Sequence, residues 1–352
     1  MVSEDFTVSV ILTNYNYESF VGQAIDSALA LDWPSVEVVV VDDGSTDGSR
    51  KIIASYGSKI KTILQNNGGQ ISACNAGFAA STGDAIIFLD SDDLLYSSIV
   101  REIAKVWRPG LSRIQSQLQI VDQVGKPTGS VLPQYYFVPS PVQTRKWAIA
   151  TGAYQGPPGS TGSAYTREYL NKIFPLDQSC GPASDSICVT AAPFLGDVVS
   201  IPKPLAAYRI HGRNDGAMLR LNIDHMTRST ERCRLCFSYA QKIAKTTGII
   251  VRDEALNKRL HYLEYRLASL KLMPARHPVK GDSLLQVLMD VLKGAMTPQG
   301  YSPKAILTLV VWAFAVGLSP RTIAYRLTEW RFVPTTRPKV LQRMLKAIKV
   351  IR

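Results

Sequence analysis

The chain is expected to be an α/β protein: a mostly parallel sheet flanked by helices, followed by a basic helical region. Three observations predict this. Short β-branched runs alternate with helical stretches through the front of the chain. Two of those runs end in clustered aspartates, at Asp42-Asp43 and at Asp90-Ser91-Asp92-Asp93. The charge then changes sign. Residues 1–215 hold 16 Lys and Arg against 20 Asp and Glu, a net of −4, whereas residues 216–352 hold 24 against 8, a net of +16. Two regions are therefore expected, 1–215 and 216–352, the second facing an anionic partner. With 352 residues, 46% of them hydrophobic, the chain can build one large or two medium cores, and it is not of disordered composition.

The elements follow in order. Thr7–Leu12 is a β-branched strand. Tyr17–Ala30 places Phe20, Val21, Ala24, Ile25, Ala28 and Leu29 on one helical face, and Trp33-Pro34 stops it. Val36–Val41 is nearly all apolar, as a strand covered on both faces should be. Ser45 or Thr46 can cap a helix running to Tyr56. A short strand, Lys61–Leu64, precedes a Gly68-Gly69 break and the helix Ile71–Ala80. Ala85–Leu89 is a buried strand that delivers the second acidic cluster. Beyond Trp107 the spacing predicts strands at Ile114–Val121 and Val131–Val138, turning near Gly125. A Gly/Pro/Ser-rich loop at Gly156–Ser163 is a candidate channel lining, and helices are expected at Glu168–Phe174 and Ser184–Leu195. Two short strands, Val198–Ile201 and Ala206–Ile210, flank Pro202-Lys203-Pro204.

Five scattered cysteines, an odd number, argue against a disulfide framework and for a reducing compartment. Cys233-x-x-Cys236 has redox or zinc spacing, but no second Cys or His pair follows, so both read as packing residues in a helix. Glu4 and Asp5 stand before the first strand, without the basic flank of a signal peptide. The longest uncharged apolar run, between Lys304 and Arg321, is sixteen residues, short of the ~20 needed to span a bilayer.

The acidic cluster carries the chemistry. Three carboxylates within four residues, at the carboxyl end of a buried strand, repel one another unless they share a cation. Oxygen ligands suit Mg²⁺ or Mn²⁺, which keep open positions for phosphate oxygens. In open α/β sheets the ligand crevice lies outside those strand ends. Asp92 is the first choice of metal ligand, with Asp90 and Asp93 in support; a solvated acidic turn is the plainer reading. Thr13 and Tyr15 follow the first strand, where a ring can stack on a base or a hydroxyl can reach a ribose.

Together, Thr13-Asn14-Tyr15-Asn16, Val41-Asp42-Asp43-Gly44-Ser45-Thr46-Asp47 and Leu89-Asp90-Ser91-Asp92-Asp93 resemble the nucleotide-sugar half of a family 2 glycosyltransferase of the GT-A fold. Gly69-Gln70-Ile71-Ser72-Ala73-Cys74-Asn75-Ala76-Gly77 resembles the segment that family members carry before the metal motif. Tyr208-Arg209-Ile210-His211-Gly212-Arg213-Asn214 resembles the stretch that closes the domain. The resemblance covers about Val8 to Asn214.

It implies an inverting hexosyl- or N-acetylhexosaminyl-transferase that uses a nucleotide-sugar, UDP-linked by first expectation. The cofactor would be Mg²⁺ or Mn²⁺, with His211 as a further metal ligand. Thr13, Tyr15, Asp42, Asp43, Gln70, Asn75, Asp90, Ser91 and Arg209 would contact the donor, Asp42 through its base. Arg209 and His211 could serve either the metal or the diphosphate. The family's base is an acidic residue, often in a Glu-Asp pair, that opens a later helix. Ser184-Asp185 stands there, which makes Asp185 the candidate; the Glu is missing, and a helix cap is its plainer role.

The basic back part is expected to be helical, at Leu219–Lys245, Arg252–Lys271, Ala305–Leu318 and Lys339–Arg352. The last of these puts Val340, Leu341, Met344, Leu345, Ile348 and Ile351 opposite Lys339, Arg343, Lys346, Lys349 and Arg352, the pattern of an interfacial helix. The protein is thus expected in the cytoplasm, peripheral at the inner face of the cell membrane, near a lipid-linked or surface-glycan acceptor. Removing residues 305–352 should then release it. Rival readings lack their signatures. A nucleotidyltransferase needs a Gly-rich basic loop where Asn14-Tyr15-Asn16-Tyr17 stands, and a dinucleotide oxidoreductase needs Gly-x-Gly-x-x-Gly. A nucleic-acid-binding protein or a non-catalytic scaffold using the basic helices is the alternative. The helices carry no nucleic-acid motif, so no nucleic-acid partner is expected.

Overall fold

The computed structural model describes residues 6–157, 161–177, 184–212, 214 and 220–347. It divides into two compact units. The first comprises the chain up to Arg145 together with Gln155–Ile210; the second comprises Lys146–Tyr154 and the chain from His211 onward. The division thus falls at 210/211, where the sequence suggested 215/216, and a nine-residue segment of the front half joins the second unit.

The elements of the first unit are Val8–Asn14 (β1), Val21–Leu29 (α1), Val36–Asp43 (β2), Ser49–Ala54 (α2), Lys61–Gln65 (β3), Gly69–Ala80 (α3), Ala85–Asp90 (β4), Leu94–Leu95 (β5), Ile99–Val106 (α4), Leu111–Val121 (β6), Pro127–Leu132 (β7), Pro141–Thr151 (α5, which continues into the second unit), Ser163–Thr166 (β8), Arg167–Leu170 (α6), Ser184–Leu195 (α7) and Asp197–Arg209 (β9). They build one mixed sheet in the order β3-β2-β1-β4-β8-β6-β9-β5, with β7 on the edge of β6. β3, β2, β1 and β4 are parallel; β8 is antiparallel to both β4 and β6.

Alternate residues of the parallel strands face opposite sides. Val10, Leu12, Val38, Val40, Ile87 and Leu89 share one core with Val21, Ile25 and Ala28 of α1 and with Ile99 and Ile103 of α4. Ile11 and Val41 face α3 on the other side, where a Cβ at Gly77 would stand 2.3 Å from Ile11 Cγ2. Only glycine lets α3 lie that close to the sheet.

Two expectations are corrected. The strand after the Gly125 turn stops at Leu132, short of Val138. The segments flanking Pro202-Lys203-Pro204 are one strand, β9, paired in parallel with β6. The register steps from Ser116↔Ile201 to Gln117↔Pro204, so Pro202 and Lys203 bulge out of the ladder. A bulge tolerates a residue that has no N–H to donate.

The described helices of the second unit, beyond the end of α5, are Ile223–Thr246 (α8), Leu260–Leu272 (α9), Leu284–Met296 (α10), Pro303–Leu318 (α11), Arg321–Phe332 (α12) and Lys339–Ala347 (α13). α9 is the central one, packed by α8, α10, α11 and α12. Cys233 and Cys236 are free thiols of α8. α11 is part of this packing, because Leu309, Ala313 and Val316 are buried. Removing residues 305–352 would therefore strip core side chains as well as any membrane contact. Of the amphipathic pattern read into Lys339–Arg352, residues 348–352 lie outside the described residues. No helix among the described residues is long and apolar enough to cross a membrane.

Candidate active site

The parallel register brings the motif residues to one edge. Asn14 is level with Asp42 across β1 and β2, and Thr13 is level with Asp90 across β1 and β4. The ends of three adjacent strands thus form one rim, where an open α/β sheet holds its ligand.

The β2 end is braced from within. Asp42 is fully buried and accepts hydrogen bonds from Asn14 Nδ2 (3.0 Å), Ser45 N (2.9 Å) and Arg50 Nε (2.8 Å). Burial would raise its pKa, yet the bonds from Arg50, Ser45 and Asn14 outweigh burial and hold the carboxyl below its ordinary range. Asp43 accepts from Gln65 Nε2 (2.6 Å) and from the N–H groups of Gly68 (2.9 Å) and Gly69 (2.8 Å), which fixes the entry to α3. Between this pair and the helix, Gly44 takes a φ of +84° and a Cβ there would meet Asn67 N at 2.6 Å. Asn16, at φ 58°, accepts from Thr46 N (2.8 Å) and ties the β1 loop to the β2 loop. Both aspartates therefore shape the rim with bonds already made inside the fold.

The β4 end differs. Ser91 Oγ donates to Thr13 O (2.7 Å) and locks the turn to β1. Asp93 is buried, and its Oδ1 accepts from Arg209 N (2.9 Å). Asp90 and Asp92 are partly accessible. Burial, then the charges of Asp92 and Asp185, push the Asp90 pKa up to about 8. Burial, then Asp92 and Asp90, raises Asp93 as well. Tyr208 is raised by burial and then by Asp93, Asp92, Asp90 and Asp185, so one phenol feels all four carboxylates. Among the described residues no ion pair reaches Asp90 or Asp93. Several carboxylates thus crowd one another at the end of β4.

Asp185 stands in the first turn of α7, half-buried, its Oδ1 accepting from Ser186 N (2.7 Å). The start of α7 is tied to α3 where Cys74 Sγ and Ser184 Oγ meet at 3.1 Å. The structure thus brings Asp185 into the field of the β4 cluster, about a hundred residues away in sequence. Tyr15 is 46% exposed on the rim, and Gln70 is exposed in the first turn of α3.

Two expected contacts need correction. Arg209 is buried, with Nε on Asp92 O (2.7 Å), Nη1 on Gln123 O (2.9 Å), Nη2 on Gln23 Oε1 (2.9 Å) and its guanidinium over the Phe20 ring. It clamps the metal-motif backbone and is not presented to a diphosphate. Asn75 spends both ends of its amide on the backbone of Leu176, at 3.0 and 2.8 Å. His211 lies in the second unit, its N–H donating to Asn214 Oδ1 (2.9 Å). Among the described residues no three His, Cys, Asp or Glu side chains form a ready metal cage. A cation here would take its remaining ligands from elsewhere, as Mg²⁺ and Mn²⁺ do from phosphate and water.

Sequence reasoning passed over Asn14, Arg50, Tyr208 and Thr161. The first three lie in or beside the recognised motifs and could have been nominated. Thr161 belongs to the Gly156–Ser163 loop, whose residues 158–160 lie outside the described residues. Its hydroxyl is 3.4 Å from Asp90 N, a long-range placement that no local signal announces.

Residues 9–153 match the model of glycosyl transferase family 2. An uncharacterized glycosyltransferase of Nostoc sp. is 37% identical over 217 residues, 59% of this chain and 66% of its own length. An uncharacterized glycosyltransferase of Rickettsia typhi is 43% identical over 89 residues, 25% of this chain and 28% of its own. The match spans less than two thirds of either relative. In fold, the chain resembles S. aureus TarS 1-349, solved in complex with UDP-GlcNAc, at a TM-score of 0.55 and 18% identity over 92% of this chain and 89% of that one. With its β4 carboxylates, its β2 rim and the sequence match in agreement, residues 9–153 form a glycosyl transferase family 2 segment.

Proposed function

We propose that the protein transfers a sugar from a nucleoside diphosphate-sugar to an acceptor hydroxyl, with inversion at the anomeric carbon. The observation that carries this is the crowding of Asp90, Asp92 and Asp93 at the end of β4, with Asp185 in the same field. Asp92 and Asp90 would hold a divalent cation, Mg²⁺ or Mn²⁺, which supplies positive charge against the leaving diphosphate. Asp93 is held by Arg209 N and supports the turn from behind. Tyr15 and Thr13 flank the nucleotide, Tyr15 offering its ring to the base. Asp42 and Asp43 act through the rim they brace, and Ser91 through the turn it locks.

Inversion needs one displacement and one base. Asp185 is oriented by Ser186 N–H. It takes the acceptor hydroxyl proton as oxygen attacks the anomeric carbon and the bond to the diphosphate breaks. The donor to try first is UDP-GlcNAc, the ligand of the TarS complex. The acceptor class is a lipid-linked or surface glycan, reached by the protein as a peripheral membrane enzyme on the cytoplasmic side. The test is release of nucleoside diphosphate from a panel of nucleotide-sugars with Mn²⁺ and a prenyl-linked sugar acceptor, with the product's anomeric configuration read by NMR. Metal-dependent release with inverted configuration supports the reading; a retained configuration, or no release from any donor, refutes it.

A further inference from the structure

The second unit carries an apolar face that nothing among its described residues covers. α10 and α11 both pack on α9 and on each other, and each turns one stripe away from that contact. On α10 the stripe is Leu285, Met289, Leu292 and Met296, spaced as one face of a helix, with Leu285 73% and Met296 79% exposed. On α11 it is Leu307, Val311 and Leu318, the last 77% exposed. The buried sides are equally well defined, by Val287, Leu288 and Val291 and by Leu309, Ala313 and Val316. Two neighbouring helices on one support thus each leave an apolar stripe exposed.

From Ser283 to Glu329 the basic residues are Lys293, Lys304, Arg321 and Arg326, and the acidic residues are Asp290 and Glu329. Asp290 is buried and accepts from Arg266 Nη1 (3.0 Å), and Glu329 accepts from Arg326 Nη1 (3.0 Å), so both are answered within the unit. Residues 216–352 as a whole hold 24 Lys and Arg against 8 Asp and Glu. An apolar stripe on so cationic a region matches a bilayer with anionic headgroups: the chains take the stripe, and the headgroups take the lysines and arginines. The helices are also too short or too polar to span, which leaves contact with the interface.

We propose that the outer face of α10 and α11 docks the protein on an anionic lipid surface, with the helices lying in the interface. This moves the contact from the chain end at α13 to a rigid part of the second unit. It is independent of the catalytic reading, because nucleotide binding can be titrated on the same preparations.

The test is flotation of the full chain with vesicles of phosphatidylcholine alone and of phosphatidylcholine with phosphatidylglycerol, at low and raised salt. The wild type should float with the anionic vesicles and lose them as salt rises. The variant Leu285→Glu/Met296→Glu/Leu307→Glu/Leu318→Glu should lose about tenfold or more of that binding. Lys293→Glu/Lys304→Glu should lose a smaller part. All the substituted residues are exposed, and unchanged thermal unfolding checks the fold. Flotation of the first variant like the wild type, or no flotation of the wild type with anionic vesicles, overturns the proposal. So does a concentration-dependent dimer that the first variant abolishes while vesicles go unbound, an outcome that assigns the face to a second copy.

Discussion

Each unit of the protein buries a cluster of carboxylates, and the two clusters are opposites. In the second unit Arg266, 4% exposed in its side chain, answers Asp282 through Nε (2.7 Å) and Nη2 (2.5 Å) and answers Asp290 through Nη1 (3.0 Å). His277 Nε2 lies 2.9 Å from Asp282 Oδ2 and Gln286 donates to Asp290 at 3.0 Å. Every charge there is met. Ser269, His277 and Asp282 even line up as a relay, but Ser269 is fully buried and its hydroxyl runs on to Thr227, so the line is internal bracing. In the first unit Asp90, Asp92, Asp93 and Asp185 crowd one another, and among the described residues no cation pairs with Asp90 or Asp93. The contrast teaches how to separate structure from site. A satisfied cluster holds the fold, and an unsatisfied one is held by the fold for something else.

The comparison can be broken most decisively at its functional end. Asp185→Asn should lower turnover by about 10²–10⁴-fold, the range of a lost general base, with nucleotide affinity little changed. Equal turnover would remove Asp185 from the mechanism. At the structural end, Arg266→Met should destabilise the protein by about 3–5 kcal/mol in urea unfolding, because it strands two buried carboxylates. Nucleotide affinity measured below the transition should stay at the wild-type level. A mild loss, under about 1 kcal/mol, would mean that the second cluster is not the closed network described.

The two clusters also respond to pH with opposite signs. Burial raises Asp282 and the Arg266 and His277 bonds more than reverse it, so its pKa lies below the ordinary 3.8. Its contribution is present above the unfolded pKa and is lost as pH falls through the folded one. Asp90 is raised from 3.8 to about 8. Between those values the folded state holds the extra proton, so metal-free stability falls as pH rises. Saturating Mn²⁺ should flatten that fall in thermal melts at pH 5 to pH 8, roughly the span of the Asp90 shift. A metal-free protein that grows more stable over this window would contradict the assignment. The smallest effect expected is at Asp90 itself. Asp90→Asn should raise the metal-free melting temperature at the upper end of this window by a few degrees, roughly a 1 kcal/mol gain for a domain of this size, while weakening metal-dependent binding.

Much of this was legible in the sequence. The β-branched runs gave β1, β2 and β4, and the aspartates at their ends could be placed on one rim before any coordinates. What was not legible was burial. Arg209 and Asn75 have the right chemistry for a ligand, yet their donors and acceptors are taken by backbone that is distant in sequence, Gln123 and Leu176 among it. Local pattern carries no such information. The same holds for Asp42 and Asp43, whose neighbours Arg50, Gln65 and Gly68 decide that they brace the rim. Pro202 and Pro204 read as a strand break, but the parallel partner β6 carries β9 through as a bulge. In the second unit, hydropathy marked α11 as apolar all round without showing that one side is core and the other bare.

The central claim is that the β4 carboxylates await a cation and a nucleotide. Calorimetric titration of UDP, GDP, dTDP and CDP, each with and without Mn²⁺, into the wild type and Asp92→Asn tests it most directly. The account predicts binding of one nucleotide that depends on Mn²⁺ and is lost in Asp92→Asn. Equal binding without metal, or binding that survives Asp92→Asn, would contradict it.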